Sequence, residues 1–271
     1  MLGKLIKHEF KTTSKMILPL YLIIVVLTVF ARITMQNMLA NNNSFGDSVG
    51  MEIFSVLSIM AYILGLFAIC VATFIYIIMR FYKNLFSNEG YLMHTLPVNS
   101  WQLLSSKVIV SFVWQLLEVL LIGFSIFCIL ACQESFDAVS NFLDAYGGFD
   151  AFIYYATGMS VGGFWCYVIF FGILSILSGI LMPYVSICIG QLWQKHKLAG
   201  AFLAYFVIMF VMQIISGIYT SFVTTDASSM ETASFVFSFS LYNFSAILSV
   251  ISVVVFFFLS GYIMKKKINL D

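Results

Sequence analysis

Six long apolar stretches constrain this chain more than any other feature of its sequence. A helix needs about 20 mostly apolar residues to cross the hydrocarbon core of a bilayer. Charged residues make up only 9% of the chain, whereas a soluble domain has about a quarter. The sequence therefore predicts an all-α integral membrane protein with one transmembrane domain over residues 1–271. Its six transmembrane helices are expected at Leu18–Met35, Ile53–Met79, Val108–Cys132, Gly162–Ile189 (interrupted by Pro183), Leu198–Thr220 and Leu241–Met264.

The charges between these stretches predict an orientation. Lysines and arginines precede the first stretch, follow the last, and fill the connections between the second and third and between the fourth and fifth. The other connections contain acidic residues and no lysine, and only Arg32 lies towards that side. The positive-inside rule then places both termini in the cytoplasm. We expect a multi-pass protein of the cell membrane, a bacterial plasma membrane in particular.

The N-terminal segment 1–16 has the pattern of an amphipathic helix. At about 100° per residue, its lysines fall in one sector and its apolar residues in the opposite one. This pattern predicts an interfacial helix on the inner leaflet, with its lysines near anionic headgroups. The lysines are Lys4, Lys7, Lys11 and Lys15, and the apolar residues are Leu2, Leu5 and Ile6.

Two acidic residues stand in apolar surroundings. Glu9 falls in the apolar sector of segment 1–16, where it either pairs with a cation (Arg80, Lys83 or Lys107) or reaches water at the helix edge. Glu118 lies about 15 Å along the third stretch, near the bilayer centre, where a charge is costly. It either bonds to Arg32, contacts a substrate, or sits protonated beside serines.

Other patterns concern helix packing. Gly158–Gly162 and Ser175–Gly179 have the small-xxx-small spacing that lets membrane helices approach closely. Residues 222–241, which include SFVFSFSLY, are too apolar for a plain loop and short of a full span, so we expect a re-entrant or interfacial segment there. The cysteines form no CxxC or cysteine–histidine cluster and are interpreted as packing residues.

The cytoplasmic connection 80–107 is more elaborate than a simple link. Its centre reads EGYLMHTLPVNS. Gly90 bends or interrupts an apolar-faced helix, Pro97 ends it, and Asn99 with Gln102 resembles a capping box for the next helix. The sequence predicts a short cytoplasmic helix followed by a sharp turn.

These features together resemble the permease subunits of the type-two ABC exporter family. The matching features are the basic N-terminal helix, six spans with both ends inside, and the pattern EGYLMHTLPVNS followed by WQLLSSK. In that family the first inner loop is a coupling helix that docks on a cytoplasmic ATPase. The resemblance therefore implies ATPase-coupling roles for Glu89, Gly90, Tyr91, His94 and Pro97.

The resemblance implies an exporter subunit without catalytic chemistry of its own. The chain has no P-loop or HExxH motif, and its three histidines lie outside the spans. We expect no cofactor or metal on this chain, since ATP and Mg would be bound by partner ATPase subunits. The other expected partners are a second permease copy or paralogue and membrane lipid. No nucleic-acid partner is expected. The cargo would be an amphipathic or hydrophobic peptide, antibiotic or lipid-like molecule. The alternative is a stand-alone membrane protein without an ATPase: a secondary carrier, or an immunity or sensor protein.

Overall fold

A computed structural model describes residues 2–41, 49–86, 100–131, 133–193, 196–227 and 233–266. Within these ranges every regular element is an α-helix, and no strand is found. The helices are α1 (Leu2–Asn41), α2 (Val49–Phe86), α3 (Ser100–Leu130), α4 (Gln133–Ala145), α5 (Phe149–Thr157), α6 (Val161–Gly190), α7 (Lys197–Ala227) and α8 (Ala233–Lys266).

Six of these helices are long and apolar enough to cross a membrane, which confirms the predicted number. Their apolar parts are Leu2–Gln36, Val56–Phe86, Ser100–Leu130, Val161–Gly190, Lys197–Phe222 and Asn243–Lys265. The fourth predicted stretch is one helix that continues through Pro183. These six helices indicate a multi-pass membrane protein.

The amphipathic N-terminal segment is not a separate helix. Residues 2–41 form one helix of 40 residues, about 60 Å long at 1.5 Å per residue. Nothing between Lys15 and the first span breaks the helix, and Pro19 is accommodated inside it. The lysines are exposed as expected, but Ile6, Glu9, Thr13 and Ile17 lie on a face that is packed inside the protein. Placement of the first turns at the membrane surface stays a prediction.

The described residues of segment 222–241 are helical. They extend the two flanking helices, because α7 continues to Ala227 and α8 begins at Ala233. Residues 233–241 contain neither proline nor glycine, so nothing in their sequence stops a helix. Residues 228–232 lie outside the described residues, and the re-entrant or interfacial arrangement stays a prediction.

The chain divides into two compact units. Unit 1 comprises Met1–Arg80 and Ile109–Val139, and unit 2 comprises Phe81–Val108 and Ser140–Asp271. Within unit 1, the core is a cluster of large apolar and aromatic side chains from α1, α2 and α3. They are Ile17, Tyr21, Ile24, Ile69, Val110 and Trp114.

Unit 2 is packed mainly through aromatic rings and the mutual contacts of α6, α7 and α8. Phe81 stacks on Tyr184, with ring centroids 3.7 Å apart, and both side chains are almost completely buried. Tyr219 stacks on Phe244 at 3.8 Å. Trp101, in the first turn of α3, packs against Phe257 and Phe258 of α8, with centroids 5.7 Å apart in each case.

Glycines allow close helix approach, but not at the predicted motifs. A Cβ added at Gly162 or Gly179 would meet nothing within 4 Å. By contrast, a Cβ at Gly190 would collide with the backbone of Ala201, and one at Gly261 with the ring of Trp101. The close approaches at Gly190 and Gly261 therefore lie outside the two predicted motifs.

Two short helices, α4 and α5, follow α3 and were not predicted. Apolar side chains recur at Phe136, Val139, Leu143 and Tyr146, a helical spacing that the sequence already contains. Gly147 and Gly148 connect the two helices with φ values of 81° and 105°, a region that glycine enters without steric cost.

Candidate functional site

The first three helices enclose a series of polar side chains that we call the polar column. It lies entirely within unit 1 and follows the helix axes through otherwise apolar surroundings. Polar groups inside a membrane protein are costly, so they are the default candidates for function. The column consists of Glu9, Arg80, Tyr76, Tyr21, Trp114, Glu118, Thr73, Cys70, Thr28, Ser125, Tyr62 and Arg32.

An ion pair forms the first level of the column. Arg80 donates from Nη2 and Nε to Glu9 Oε2, at 3.0 and 3.1 Å. Arg80 also donates to the hydroxyl of Tyr76 at 3.3 Å. The Glu9 side chain is 3% exposed and that of Arg80 is 17% exposed. The prediction that Glu9 pairs with a cation is confirmed, and its alternative, contact with water at the helix edge, is wrong.

Aromatic side chains form the next level. The Tyr21 hydroxyl donates to the backbone carbonyl of Trp114 at 2.6 Å. Phe10 stacks on the Trp114 ring, with centroids 4.7 Å apart. A main-chain carbonyl inside a helix already accepts one bond, so the tyrosine uses its second lone pair. These contacts fix the rotation of α1 against α3.

Glu118 lies one helical turn beyond Trp114 and is 4% exposed. Its carboxyl group interacts with the side chains of Thr73 and Cys70 on α2. Its Oε1 atom and the Nε1 atom of Trp114 have no hydrogen-bond partner among the described residues. Two buried polar atoms without a partner therefore lie one turn apart on the same helix, which is unusual in native interiors.

A hydroxyl cluster joins α1, α2 and α3 within unit 1. The Ser125 hydroxyl lies 2.6 Å from the hydroxyl of Thr28 on α1 and 2.6 Å from that of Tyr62 on α2. Thr28 also donates to the carbonyl of Ile24 at 2.7 Å. Ser125 is thus the shared centre of the cluster.

Arg32 closes the column at the end of α3. It donates to the carbonyl oxygens of Ile129 and Ala131, at 2.9 and 2.7 Å. The last carbonyls of a helix have no partner within that helix, and a cation there also meets the negative end of the helix dipole. Arg32 therefore does not bond to Glu118, because the unpaired carbonyls at the end of α3 hold its guanidinium about 18 Å further along that helix.

The order of these contacts gives the helix directions inside unit 1. Tyr21, Thr28 and Arg32 of α1 meet successively later residues of α3, so the two helices are parallel. On α2 the order is reversed, since Arg80 near its end meets Glu9 near the start of α1. This alternation is what consecutive membrane crossings require.

The predicted site residues have different outcomes. Glu9 and Glu118 both lie in the column, together with Arg32, whereas Lys4, Lys7 and Lys11 are exposed outside it. The predicted coupling residues Glu89, Gly90, Tyr91, His94 and Pro97 lie outside the described residues.

Sequence reasoning missed the hydroxyl cluster, although a spacing signal was present. Tyr21 and Thr28 are seven residues apart, as are Glu118 and Ser125. Residues at this spacing share a helix face. Polar residues that repeat on one face of a span indicate a face turned towards other helices, not towards lipid.

The described residues contain no group of three or more His, Cys, Asp or Glu that could hold a metal ion. The arrangement offers an ion pair, a buried carboxyl group and hydroxyls, which can bind polar groups or fix helix positions. No family model, curated protein or solved structure matches the chain.

Proposed function

We propose that this chain is the membrane-spanning subunit of an ATP-driven exporter of the type-two ABC kind. Two such subunits, identical or paralogous, would each dock a cytoplasmic ATPase that carries ATP and Mg. The cargo would be amphipathic or hydrophobic: a peptide, an antibiotic or a lipid-like molecule. Support comes from the six apolar helices, the distribution of basic residues, and the resemblance of the first inner connection to a coupling segment.

The observation that carries the proposal is the anchoring of both helix ends that flank residues 87–99. On the preceding side, Phe81 and Leu85 of α2 are fully buried in unit 2, and Phe81 stacks on Tyr184. On the following side, Trp101 packs against α8, and Leu104 is fully buried. A connection between two firmly held helix ends can transmit a force, whereas a connection between loose ends would absorb it.

The same two helices also reach the polar column. Phe81 follows Arg80 directly, and Arg80 is the partner of Glu9. Movement of the end of α2 would therefore act on the Glu9–Arg80 pair. Interfaces that are closely packed and hydrogen-bonded switch between discrete arrangements more readily than they deform. This supports a mechanism in which the connection 80–107 changes the access of a path through the membrane.

Purification of the tagged protein from its native membranes in mild detergent tests the proposal. We expect a soluble subunit of ATPase size to co-purify, with vanadate-sensitive ATP hydrolysis. If the protein is purified alone and without ATPase activity, even after cross-linking at His94, the stand-alone alternative replaces the exporter proposal.

A substitution in the connection tests the coupling role itself. Glu89→Ala is expected to leave membrane insertion unchanged and to reduce transport-linked ATP hydrolysis in proteoliposomes. Lys11→Ala is the control, since Lys11 is exposed and lies in another segment. Normal coupling in the Glu89 variant would remove this residue from the proposed contact.

A further inference from the structure

Unit 1 contains a groove of about 400 Å³ between α1 and α3, beside the last levels of the polar column. Its walls are mostly apolar, with Val29 from α1 and Leu121 and Phe124 from α3. Arg32 contributes a positive charge to the same groove. The groove therefore combines a long apolar surface with a single cation.

The groove is open along its side. Val29 is 55% exposed and Phe124 is 67% exposed, although both line it. In a membrane-spanning chain, apolar side chains with this exposure face lipid or another protein. The hydroxyls of Thr28 and Ser125, which also line the groove, already bond to each other. A molecule bound in the groove therefore does not need to form hydrogen bonds to these two hydroxyls.

Arg32 retains hydrogen-bonding capacity for an occupant. A guanidinium group has five N–H donors. Its two hydrogen bonds reach the neutral carbonyl oxygens of Ile129 and Ala131, which leaves further N–H groups and the formal charge. Arginine is well suited to bind phosphate or carboxylate groups, often through two N–H groups at once.

We propose that this groove binds an anionic membrane lipid, with its phosphate on Arg32 and an acyl chain along Val29, Leu121 and Phe124. The charge of Arg32 complements the phosphate, and the open apolar wall complements the chain. From Val25 to Arg32 the wall is about 10 Å long, which suits part of one acyl chain. The carbonyl dipoles beside Arg32 offset part of its charge, so the expected affinity is moderate.

Lipid titration of the delipidated full-length protein in mild detergent tests this assignment. The probes are dioleoyl phosphatidylglycerol and dioleoyl phosphatidylcholine, which share acyl chains and differ in charge. Native mass spectrometry counts bound lipids, and thermal unfolding reports stabilisation, because a ligand that binds the folded state raises its stability. We expect the anionic lipid to bind at least about tenfold more tightly, the scale of one charged hydrogen bond.

Two variants of Arg32 examine the charge. Arg32→Gln is expected to bind both lipids equally, and Arg32→Lys is expected to keep part of the preference. Because Arg32 also holds the end of α3, Arg32→Gln risks loss of folding. A second variant, Val29→Trp, therefore fills the groove and leaves Arg32 in place.

Val29→Trp is expected to lose the bound anionic lipid while the protein stays folded. Val255→Trp is the matched control, since Val255 is 49% exposed on α8 and is not part of the groove. Equal affinity of the wild type for both lipids overturns the assignment, as does unchanged binding in Val29→Trp. Disulfide-linked dimers through Val29→Cys in native membranes would instead show that a second copy of this chain fills the groove.

Discussion

Unit 1 and unit 2 hold long apolar helices together with different chemistry. In unit 1, hydrogen-bonded side chains follow the helix interface from the Glu9–Arg80 pair to Arg32. In unit 2, the main contacts are aromatic stacks such as Phe81 on Tyr184 and close approaches such as Gly190 to Ala201. Both solutions replace the hydrophobic effect, which contributes little between helices that are already in lipid.

The difference has consequences for movement. A hydroxyl cluster such as Thr28, Ser125 and Tyr62 can exchange partners, since each hydroxyl both donates and accepts. Two helix backbones that touch at a glycine cannot exchange partners in this way, because the helices pack so closely only at that position. We therefore expect unit 1 to tolerate changes of helix position and unit 2 to resist them.

The largest expected effect comes from the first level of the polar column. Glu9→Gln leaves Arg80 without its counter-charge, and breaking a buried pair in this way costs about 3–5 kcal/mol. Equilibrium unfolding in mixed micelles containing SDS measures the change. The exchange Glu9→Arg with Arg80→Glu should recover part of the loss.

Lys11→Gln is the control for the loss of a charge near the N-terminus, because Lys11 is exposed. Its effect is expected within about 0.5 kcal/mol. A Glu9→Gln variant as stable as Lys11→Gln would mean that the pair does not hold α1 to α2.

In unit 2 the sharpest effect is expected at Gly190. Gly190→Ala places a Cβ against the backbone of Ala201, and overpacking of this kind costs about 1–3 kcal/mol. Gly172→Ala, in the same helix, is the control, because nothing lies within 4 Å of its added Cβ. It should be neutral or slightly stabilising, since alanine favours helices by about 1 kcal/mol over glycine. Equal unfolding curves for the two variants would contradict the close approach.

A smaller effect is expected in the hydroxyl cluster. Ser125→Ala removes the partner shared by Thr28 and Tyr62, and interhelical hydrogen bonds of membrane proteins contribute about 0.6 kcal/mol each. A loss of about 1 kcal/mol is expected in the same unfolding measurement. Ser175→Ala is the control, since the Ser175 hydroxyl bonds to a carbonyl of its own helix. If the two serine variants unfold alike, the cluster adds nothing to the association of the helices.

The sequence was sufficient for the number of spans because length and hydropathy decide whether a helix can cross a bilayer. It also identified Glu9 as a residue that needs a cation, since a carboxylate on an apolar face is costly. It did not determine which cation, because Arg80, Lys83 and Lys107 all lie in the same basic connection. The packing of α1 on α2 brings Arg80 to Glu9.

Other parts of the site depended on tertiary contacts that no local pattern contains. Arg32 was matched with Glu118 by opposite charge, but the unpaired carbonyls at the end of α3 hold it instead. The glycine motifs were matched by spacing, but close approach depends on what lies opposite each glycine. A Cβ at Gly190 would collide with Ala201, whereas one at Gly179 would meet nothing within 4 Å among the described residues.

The smallest change in stability is expected at Glu118, the second buried glutamate of unit 1. Its Oε1 atom has no hydrogen-bond partner in the part of the chain that the structure describes, whereas Oε2 of Glu9 accepts two charged hydrogen bonds. Replacing a buried polar group by an apolar one of similar size is nearly neutral where no buried partner is left unsatisfied, and the Thr73 hydroxyl keeps its bond to the carbonyl of Ile69. The free energy of unfolding of Glu118→Met should therefore lie within about 1 kcal/mol of the wild-type value, while Glu9→Met loses several times as much.

Stable assembly of Glu118→Met with reduced ATPase coupling in proteoliposomes would indicate that Glu118 serves function, because its burial would then contribute nothing to folding. A loss of stability as large as that of Glu9→Met would instead show that Glu118 holds α2 and α3 together through Thr73 and Cys70.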